Sequence, residues 1–107
     1  MIVGIPKEIM QNENRVAAVP ETVAKMVKDG VEVIVERGAG VGSYYEDEEY
    51  VKAGAKIVDN PEEVFLKSDL ILKVKEPLFN EKIKKYEVDM MHENQYLITF
   101  IHPASPV

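Results

Sequence analysis

Residues 69–74, DLILKV, form the stretch that decides the fold of this 107-residue chain. Its apolar side chains do not alternate with polar ones along the run, which is typical of a strand that is buried on both faces of a parallel sheet. Short runs rich in apolar and branched residues also occur at residues 2–5 (IVGI), 31–36 (VEVIVE), 55–58 (AKIV) and 96–101 (YLITFI). We therefore predict five strands.

Helical segments separate these strands. Residues 20–30, PETVAKMVKDG, begin with a proline, which suits the first turn of a helix, and end with a glycine. Residues 46–54, EDEEYVKAG, also end with a glycine, and residues 60–68, NPEEVFLKS, begin with Asn60 as a helix cap. Residues 80–91, NEKIKKYEVDMM, are predicted to be mostly helical.

The alternation of strands and helices predicts an α/β fold. We expect a three-layer, Rossmann- or flavodoxin-like parallel sheet with helices on both faces and right-handed crossovers. The chain has the length of one ordinary domain and contains no internal repeat or linker, so residues 1–107 are interpreted as a single domain.

Composition narrows the class of protein. The net charge of −6 disfavours nucleic-acid binding, which usually needs a basic face. The chain contains no cysteine, which excludes disulfides and thiolate metal sites and fits a reducing compartment. It lacks a signal peptide and any apolar run of the roughly 20 residues that span a bilayer. We expect a cytoplasmic domain whose association with a membrane, if any, goes through partner subunits.

Three side chains with useful chemistry follow three of the predicted strands. Arg15 lies in the loop after the first strand, Lys75 follows the fourth and His102 follows the fifth. Ligands of open parallel sheets bind at the carboxyl ends of the strands, which share one edge. Two permanent cations beside an imidazole suit a small carboxylate and a proton transfer. Alternatively, Arg15 and Lys75 are solvated surface residues and His102 caps its strand.

The glycine-rich residues 38–43, GAGVGS, invite comparison with a dinucleotide fingerprint. Their glycines depart from the G-x-G-x-x-G spacing because Ser43 occupies the last position. Four acidic residues follow at positions 46–49, where they would repel a pyrophosphate. A tight structural turn is the better interpretation, and no spacing of His and carboxylate residues predicts a metal site.

Several motifs together resemble the N-terminal domain shared by alanine dehydrogenase and the alpha subunit of proton-translocating NAD(P) transhydrogenase. They are GIPKE (4–8), NENRVA (12–17), GAGVGS (38–43), LKVKEP (72–77) and TFIHPA (99–104). The resemblance implies a complete protein of two Rossmann-like domains, of which this chain is most of the first half of the non-nucleotide domain. It also implies that NAD binds to a downstream domain absent from this chain, so the fragment alone should be inactive.

The resemblance to alanine dehydrogenase implies roles for the three side chains. Arg15 and Lys75 match the residues that hold the carboxylate of pyruvate or alanine, and His102 matches the acid/base for the imine and keto group. That enzyme interconverts L-alanine and NAD with pyruvate, ammonia and NADH. In this branch the partner is a small carboxylate substrate, and NENRVA, KVKEP and His102 are the features that favour it.

Other features resemble the transhydrogenase alpha subunit, which passes hydride from NAD(H) to NADP(H) on a partner component and works with beta or membrane subunits. The long segment 78–100 and Pro103 are of this kind. Because insertions stay within lineages, we interpret the chain as transhydrogenase alpha-like, with alanine dehydrogenase as the alternative. A third possibility is a non-catalytic ligand-binding or assembly module. Whatever the branch, an uncovered apolar face beside the last strand predicts a homo-oligomer.

Overall fold

The computed structural model describes residues 1–99 and contains one central parallel sheet. In chain order its elements are β1 (Ile2–Ile5), α1 (Pro20–Lys28), β2 (Glu32–Glu36), α2 (Asp47–Lys52), β3 (Lys56–Val58), α3 (Pro61–Lys67), β4 (Leu70–Lys73), β5 (Phe79–Asn80), β6 (Lys85–Tyr86), α4 (Glu87–Met90) and β7 (Tyr96–Thr99). Within this range the sheet has five strands in the order β3-β2-β1-β4-β7, all parallel. The predicted α/β class and the five predicted strands are confirmed.

The order of the strands creates a topological switch point between β1 and β4. After β1 the chain moves outward to β2 and β3, and it then returns to place β4 on the other side of β1. The carboxyl edge of the sheet near such a switch point is where open parallel sheets bind ligands.

Two apolar clusters cover the two faces of the sheet. On one face Val33 and Val35 of β2 pack in the cluster that includes α1 and α2, and on the other face Ile34 packs with α3. The four strands β1 to β4 supply residues to both clusters, whereas β7 supplies Leu97 to one of them, and this burial on both faces explains why β1 to β4 carry few polar positions. On β7 the side chains of Tyr96 and Ile98 are exposed. The homo-oligomer expected from such a face stays a prediction.

Helix ends follow the predicted chemistry. The Asn60 side chain accepts a hydrogen bond from the Glu63 N–H (2.8 Å) and caps α3. Glu46 and Glu49 form a reciprocal capping box at the start of α2. Gly30 and Gly54 follow α1 and α2 with positive φ values. None of the helices in the described part of the chain has the length and apolar character that crossing a bilayer requires.

The prediction of a mostly helical segment at residues 80–91 was wrong. Here β5 and β6 form an antiparallel hairpin, and only the short α4 is helical. Asn80 is buried, and its side-chain oxygen accepts the Lys82 N–H (3.0 Å) inside the turn. The rings of Phe79 and Tyr86 pack edge to face, with centroids 4.7 Å apart. These contacts outweigh the favourable helix propensity of the intervening Lys and Glu residues, which amounts to only a few tenths of a kcal/mol per residue.

The substitution Gly4→Ala tests how closely the end of α3 approaches β1. A Cβ at Gly4 would lie 1.9 Å from the Ser68 Oγ, so Gly4→Ala should lower the free energy of unfolding by about 3 kcal/mol. Chemical denaturation of the purified protein measures this loss. Ser68→Ala removes the clashing oxygen, so the double variant should lose less stability than the sum of the two single losses. Additive losses would contradict the close approach.

Candidate functional site

The loop after β1 and the segment after β4 meet at the carboxyl edge of the sheet. A cleft of about 260 Å³ opens beside this contact, between the loop after β1 and the turn after β2. One wall is the loop after β1, with Lys7, Glu8, Glu13 and Arg15, and the other is the glycine-rich turn after β2. The volume suits a ligand of a few heavy atoms and is smaller than the sites that hold drug-sized molecules.

Glu13 joins the two predicted carboxylate-binding cations. The Arg15 guanidinium donates from Nε to Glu13 Oε2 and from Nη2 to Glu13 Oε1, both at 2.9 Å. The Lys75 ammonium lies 3.9 Å from the same Oε1. Arg15 and Lys75 are 60 positions apart in the sequence, yet both contact one carboxylate. The strand-edge argument expected the two cations at one edge of the sheet, but it did not include Glu13 in the site.

The Glu13 side chain is buried, whereas the two cations that contact it are partly exposed. Glu13 is only 6% exposed, whereas Arg15 is 54% and Lys75 28% exposed. The carboxylate therefore lies behind the two cations, and both cations retain surface that a ligand can reach. Arg15 uses Nε and Nη2 for Glu13 and keeps further N–H donors for a second acceptor.

The charges at this contact are fixed at neutral pH. The hydrogen bonds from Arg15 lower the pKa of Glu13 to about 2, and the charge of Lys75 acts in the same direction. Glu13 in turn raises the pKa of Arg15 above its ordinary value. The contact therefore consists of one anion and one permanent cation over the whole physiological range, with Lys75 beside them.

The glycine-rich turn supports the loop that carries Arg15. Ser43 Oγ donates a hydrogen bond to the carbonyl oxygen of Asn14, the residue before Arg15 (2.6 Å). The Gly38 N–H, which a phosphate would need, instead donates to Asp47 (2.8 Å). The acidic first turn of α2 follows. The residues of this turn therefore do not fit a dinucleotide, in agreement with the interpretation of a structural turn.

A buried ion cluster at the end of β4 was missed by the sequence analysis. Lys73 is completely buried, and its ammonium lies 3.1 Å from Glu8 Oε1 and 3.3 Å from Glu87 Oε2. Both acids are buried as well. The signal in the sequence is a lysine inside the apolar run DLILKV, but nothing in the local pattern identifies its two partners.

Glu8 also holds the backbone that carries Lys75. Its Oε2 accepts the Val74 N–H (2.8 Å), and its Oε1 accepts the Lys75 N–H (3.2 Å). The segment after β4 is thereby tied to the loop after β1 immediately before that loop reaches Glu13. The position of Lys75 relative to Arg15 thus depends on a residue that touches neither side chain.

Glu87 joins the hairpin to the same cluster. Its Oε1 accepts the Leu78 N–H at 2.8 Å, and burial raises its pKa although the charge of Lys73 opposes this shift. The hairpin is therefore attached to the end of β4 by a buried charge and a backbone hydrogen bond. This attachment explains why Glu87 is buried within an otherwise polar segment.

Of the three predicted site residues, the structure brings Arg15 and Lys75 together. His102 lies outside the described residues. The proposed roles of all three, in substrate binding and in acid/base chemistry, stay predictions.

The family whose description is Alanine dehydrogenase/PNT, N-terminal domain, matches residues 4–106. The chain belongs to this family. Among alanine dehydrogenases, this domain is 48% identical to that of Methanococcus maripaludis over 104 residues and 47% identical to that of Staphylococcus saprophyticus over 105 residues. These alignments cover 97% and 98% of the chain and 26% of each relative. The chain therefore spans about a quarter of their length.

Two solved structures share the fold of this alanine dehydrogenase/PNT domain. An L-alanine dehydrogenase superposes with a TM-score of 0.79 at 32% identity, covering 95% of this chain and 26% of that chain. The transhydrogenase from Sinorhizobium meliloti superposes with a TM-score of 0.80 at 37% identity, covering 94% and 28%. The family resemblance inferred from the motifs is confirmed, and the two branches have nearly the same fold.

Lys73→Met tests the buried ion cluster. It leaves Glu8 and Glu87 buried without their cation, so the free energy of unfolding should fall by about 3–5 kcal/mol at neutral pH. Chemical denaturation measures the loss, with Lys67→Met at an exposed ion pair as the matched control that should cost under about 1 kcal/mol. Equal losses in the two variants would contradict the assigned role of Lys73.

The pH dependence of stability tests the Glu13–Arg15 contact. Because the pKa of Glu13 is about 2 in the folded chain and 4.5 ordinarily, this contact stabilises the fold above the ordinary value and is lost as the pH falls toward 2. Glu13→Gln should therefore flatten the acid limb of a plot of unfolding free energy against pH. Glu32→Gln, at an exposed pair on the opposite edge of the sheet, should leave it unchanged. An unaltered limb in Glu13→Gln would disprove the contact.

Proposed function

We propose that this domain is the part of an alanine dehydrogenase that binds the substrate carboxylate; such an enzyme interconverts L-alanine and NAD with pyruvate, ammonia and NADH. The observation that carries the proposal is the meeting of Arg15 and Lys75 at one carboxylate beside an open cleft. Identity to alanine dehydrogenases along nearly the whole chain supports it.

The chemistry of the cleft suits a small 2-oxo or 2-amino acid. Arg15 would offer its remaining N–H donors to one carboxylate oxygen of the substrate, and Lys75 would add a point charge and up to three donors. Hydrogen bonds between charged groups are about twice as strong as neutral ones, so they can fix the orientation of a substrate with few other atoms to hold. The volume of about 260 Å³ limits the size of such an acid.

His102 is proposed as the group that moves a proton on the substrate. Thr99, three residues before it, is paired with Lys73 of β4, two residues before Lys75. The expectation that His102 follows this strand at the same edge as the two cations comes from the sequence, because parallel strands share their carboxyl edge. An imidazole near neutral pH can both donate and accept the proton that the imine and keto forms exchange.

We propose that NAD binds to a different domain of the complete protein. The glycine-rich turn after β2 does not fit a dinucleotide, since Asp47 takes its Gly38 N–H and acidic residues follow. This chain covers about a quarter of its relatives, which leaves room for a nucleotide-binding domain elsewhere. The residues described in this chain would then bind and orient the substrate. A homo-oligomer is part of the same proposal, based on the exposed apolar side chains of β7.

A transhydrogenase alpha-like protein is the second candidate function. The higher identity to the Sinorhizobium meliloti transhydrogenase, 37% against 32% for the L-alanine dehydrogenase structure, favours it. In that case hydride would pass from NAD(H) to NADP(H) on a partner component that includes beta or membrane subunits, and no small acid would bind. The charged cleft around Glu13 supports the first candidate. A transhydrogenase that binds no small acid would not need two cations whose donors a ligand can reach.

Arg15→Lys tests the proposal in the full-length protein. It keeps the charge but removes the guanidinium donors that remain for the substrate once Glu13 is bound, so the KM for pyruvate or L-alanine should rise by roughly tenfold or more while the fold is retained. Alanine-dependent reduction of NAD measures the effect, and Lys25→Arg on the exposed face of α1 is the matched control. Hydride exchange between NAD and an NADP analogue without any alanine activity would favour the transhydrogenase. Absence of both activities would favour a non-catalytic module.

A further inference from the structure

We propose that Glu13 determines which acids the cleft accepts. Its carboxylate offsets one of the positive charges that Arg15 and Lys75 place beside the cleft, and it thereby favours monocarboxylates over dicarboxylates. The inference rests on the proposed function in one respect, namely that Arg15 and Lys75 bind the carboxylate of a ligand.

Glu13 is a fixed part of the site and is not a group that a ligand would displace. Its carboxylate accepts three hydrogen bonds from Arg15, one from the backbone N–H and two from the guanidinium, each at 2.9 Å. Only 6% of its side chain is exposed. A ligand reaching the exposed surface of Arg15 would therefore meet the guanidinium with Glu13 already bound behind it.

Glu13 lowers the positive charge next to the cleft by one. Arg15 and Lys75 contribute two positive charges and Glu13 one negative charge, so these three side chains carry a net charge of +1. Glu8 also lines the cleft, but it contacts the buried Lys73. Lys7 lines the cleft as an exposed residue and adds a positive charge that is the same whether or not Glu13 is charged. Without the charge of Glu13, the site would therefore attract a second carboxylate on the ligand more strongly.

The physical contrast between two ligands of similar size makes this inference testable. Pyruvate and ketomalonate are both 2-oxo acids, and they differ by the replacement of the pyruvate methyl group with a second carboxylate. Two like charges within several ångströms at a protein surface repel each other enough to change affinity roughly tenfold or more. Glu13 should therefore weaken the binding of ketomalonate relative to pyruvate, and the ratio of the two dissociation constants reports its effect.

The experiment is titration calorimetry of the full-length protein with pyruvate and with ketomalonate, in the presence of NADH and without ammonia. Glu13→Gln keeps the size of the side chain and removes its charge, so it should shift the Kd ratio toward ketomalonate by roughly tenfold or more. Glu13→Asp keeps the charge and should keep the wild-type preference. Glu32→Gln, which removes one negative charge at the opposite edge of the sheet, should change nothing.

A second pair of variants tests the inference if Glu13→Gln does not fold. Val41 is exposed and lines the same cleft. Val41→Lys adds a positive charge there without disturbing the Glu13–Arg15 contact, and it should also shift the preference toward ketomalonate. Val41→Gln, the neutral control, should not. An unchanged ratio in a folded Glu13→Gln protein, or in Val41→Lys, would overturn the inference, as would an equal shift in Glu13→Asp.

These outcomes separate the inference from the proposed function. If the wild-type protein selects pyruvate over ketomalonate through Glu13 but does not oxidise alanine, the inference stands and the proposed function fails. If it oxidises alanine and Glu13→Gln keeps the wild-type ratio of the two dissociation constants, the proposed function stands and the inference fails. Binding of neither acid would overturn both.

Discussion

The completely buried ammonium of Lys73, between Glu8 and Glu87, is the interaction on which the carboxyl edge of the sheet depends. A buried charge is tolerated only when partners replace the water it has lost, so the three side chains must be in place together. Each comes from a different part of the chain: the loop after β1, the end of β4 and the start of α4. The cluster thereby joins the central sheet to the hairpin, and it determines where the loops beside the cleft begin.

The geometry of the cleft follows from this cluster through the backbone. Glu8 accepts the N–H groups of Val74 and Lys75, which sets the direction in which the Lys75 side chain leaves β4. The loop after β1, which carries Glu8, continues to Glu13, and the Glu13 carboxylate contacts both the ammonium of Lys75 and the guanidinium of Arg15. The proposed carboxylate-binding edge therefore rests on a second, buried set of charges formed by Glu8, Lys73 and Glu87. Such support keeps a binding geometry constant when the ligand leaves.

The two branches of the alanine dehydrogenase/PNT family cannot be separated by the shape of this domain. Its TM-scores to an L-alanine dehydrogenase and to a transhydrogenase are 0.79 and 0.80. A fold supports many chemistries, and function depends on the side chains grafted onto it. The sequence analysis gave most weight to the length of the segment after β4, whereas the structure shows that this segment is a hairpin attached through Glu87. The charged groups around Glu13 are the more direct evidence about the ligand.

The sequence by itself determined the five strands, the cap at Asn60 and the placing of Arg15 and Lys75 at one edge, because apolar period, capping chemistry and parallel topology are local or follow from element order. Only the tertiary structure decided that residues 79–86 form a hairpin, that Lys73 is buried with two acids, and that Glu13 contacts both cations. Those outcomes depend on contacts such as Glu8 with Lys73, 65 residues apart. Local patterns carry no information about which distant carboxylate will compensate a buried charge, so that choice appears only when the chain has packed.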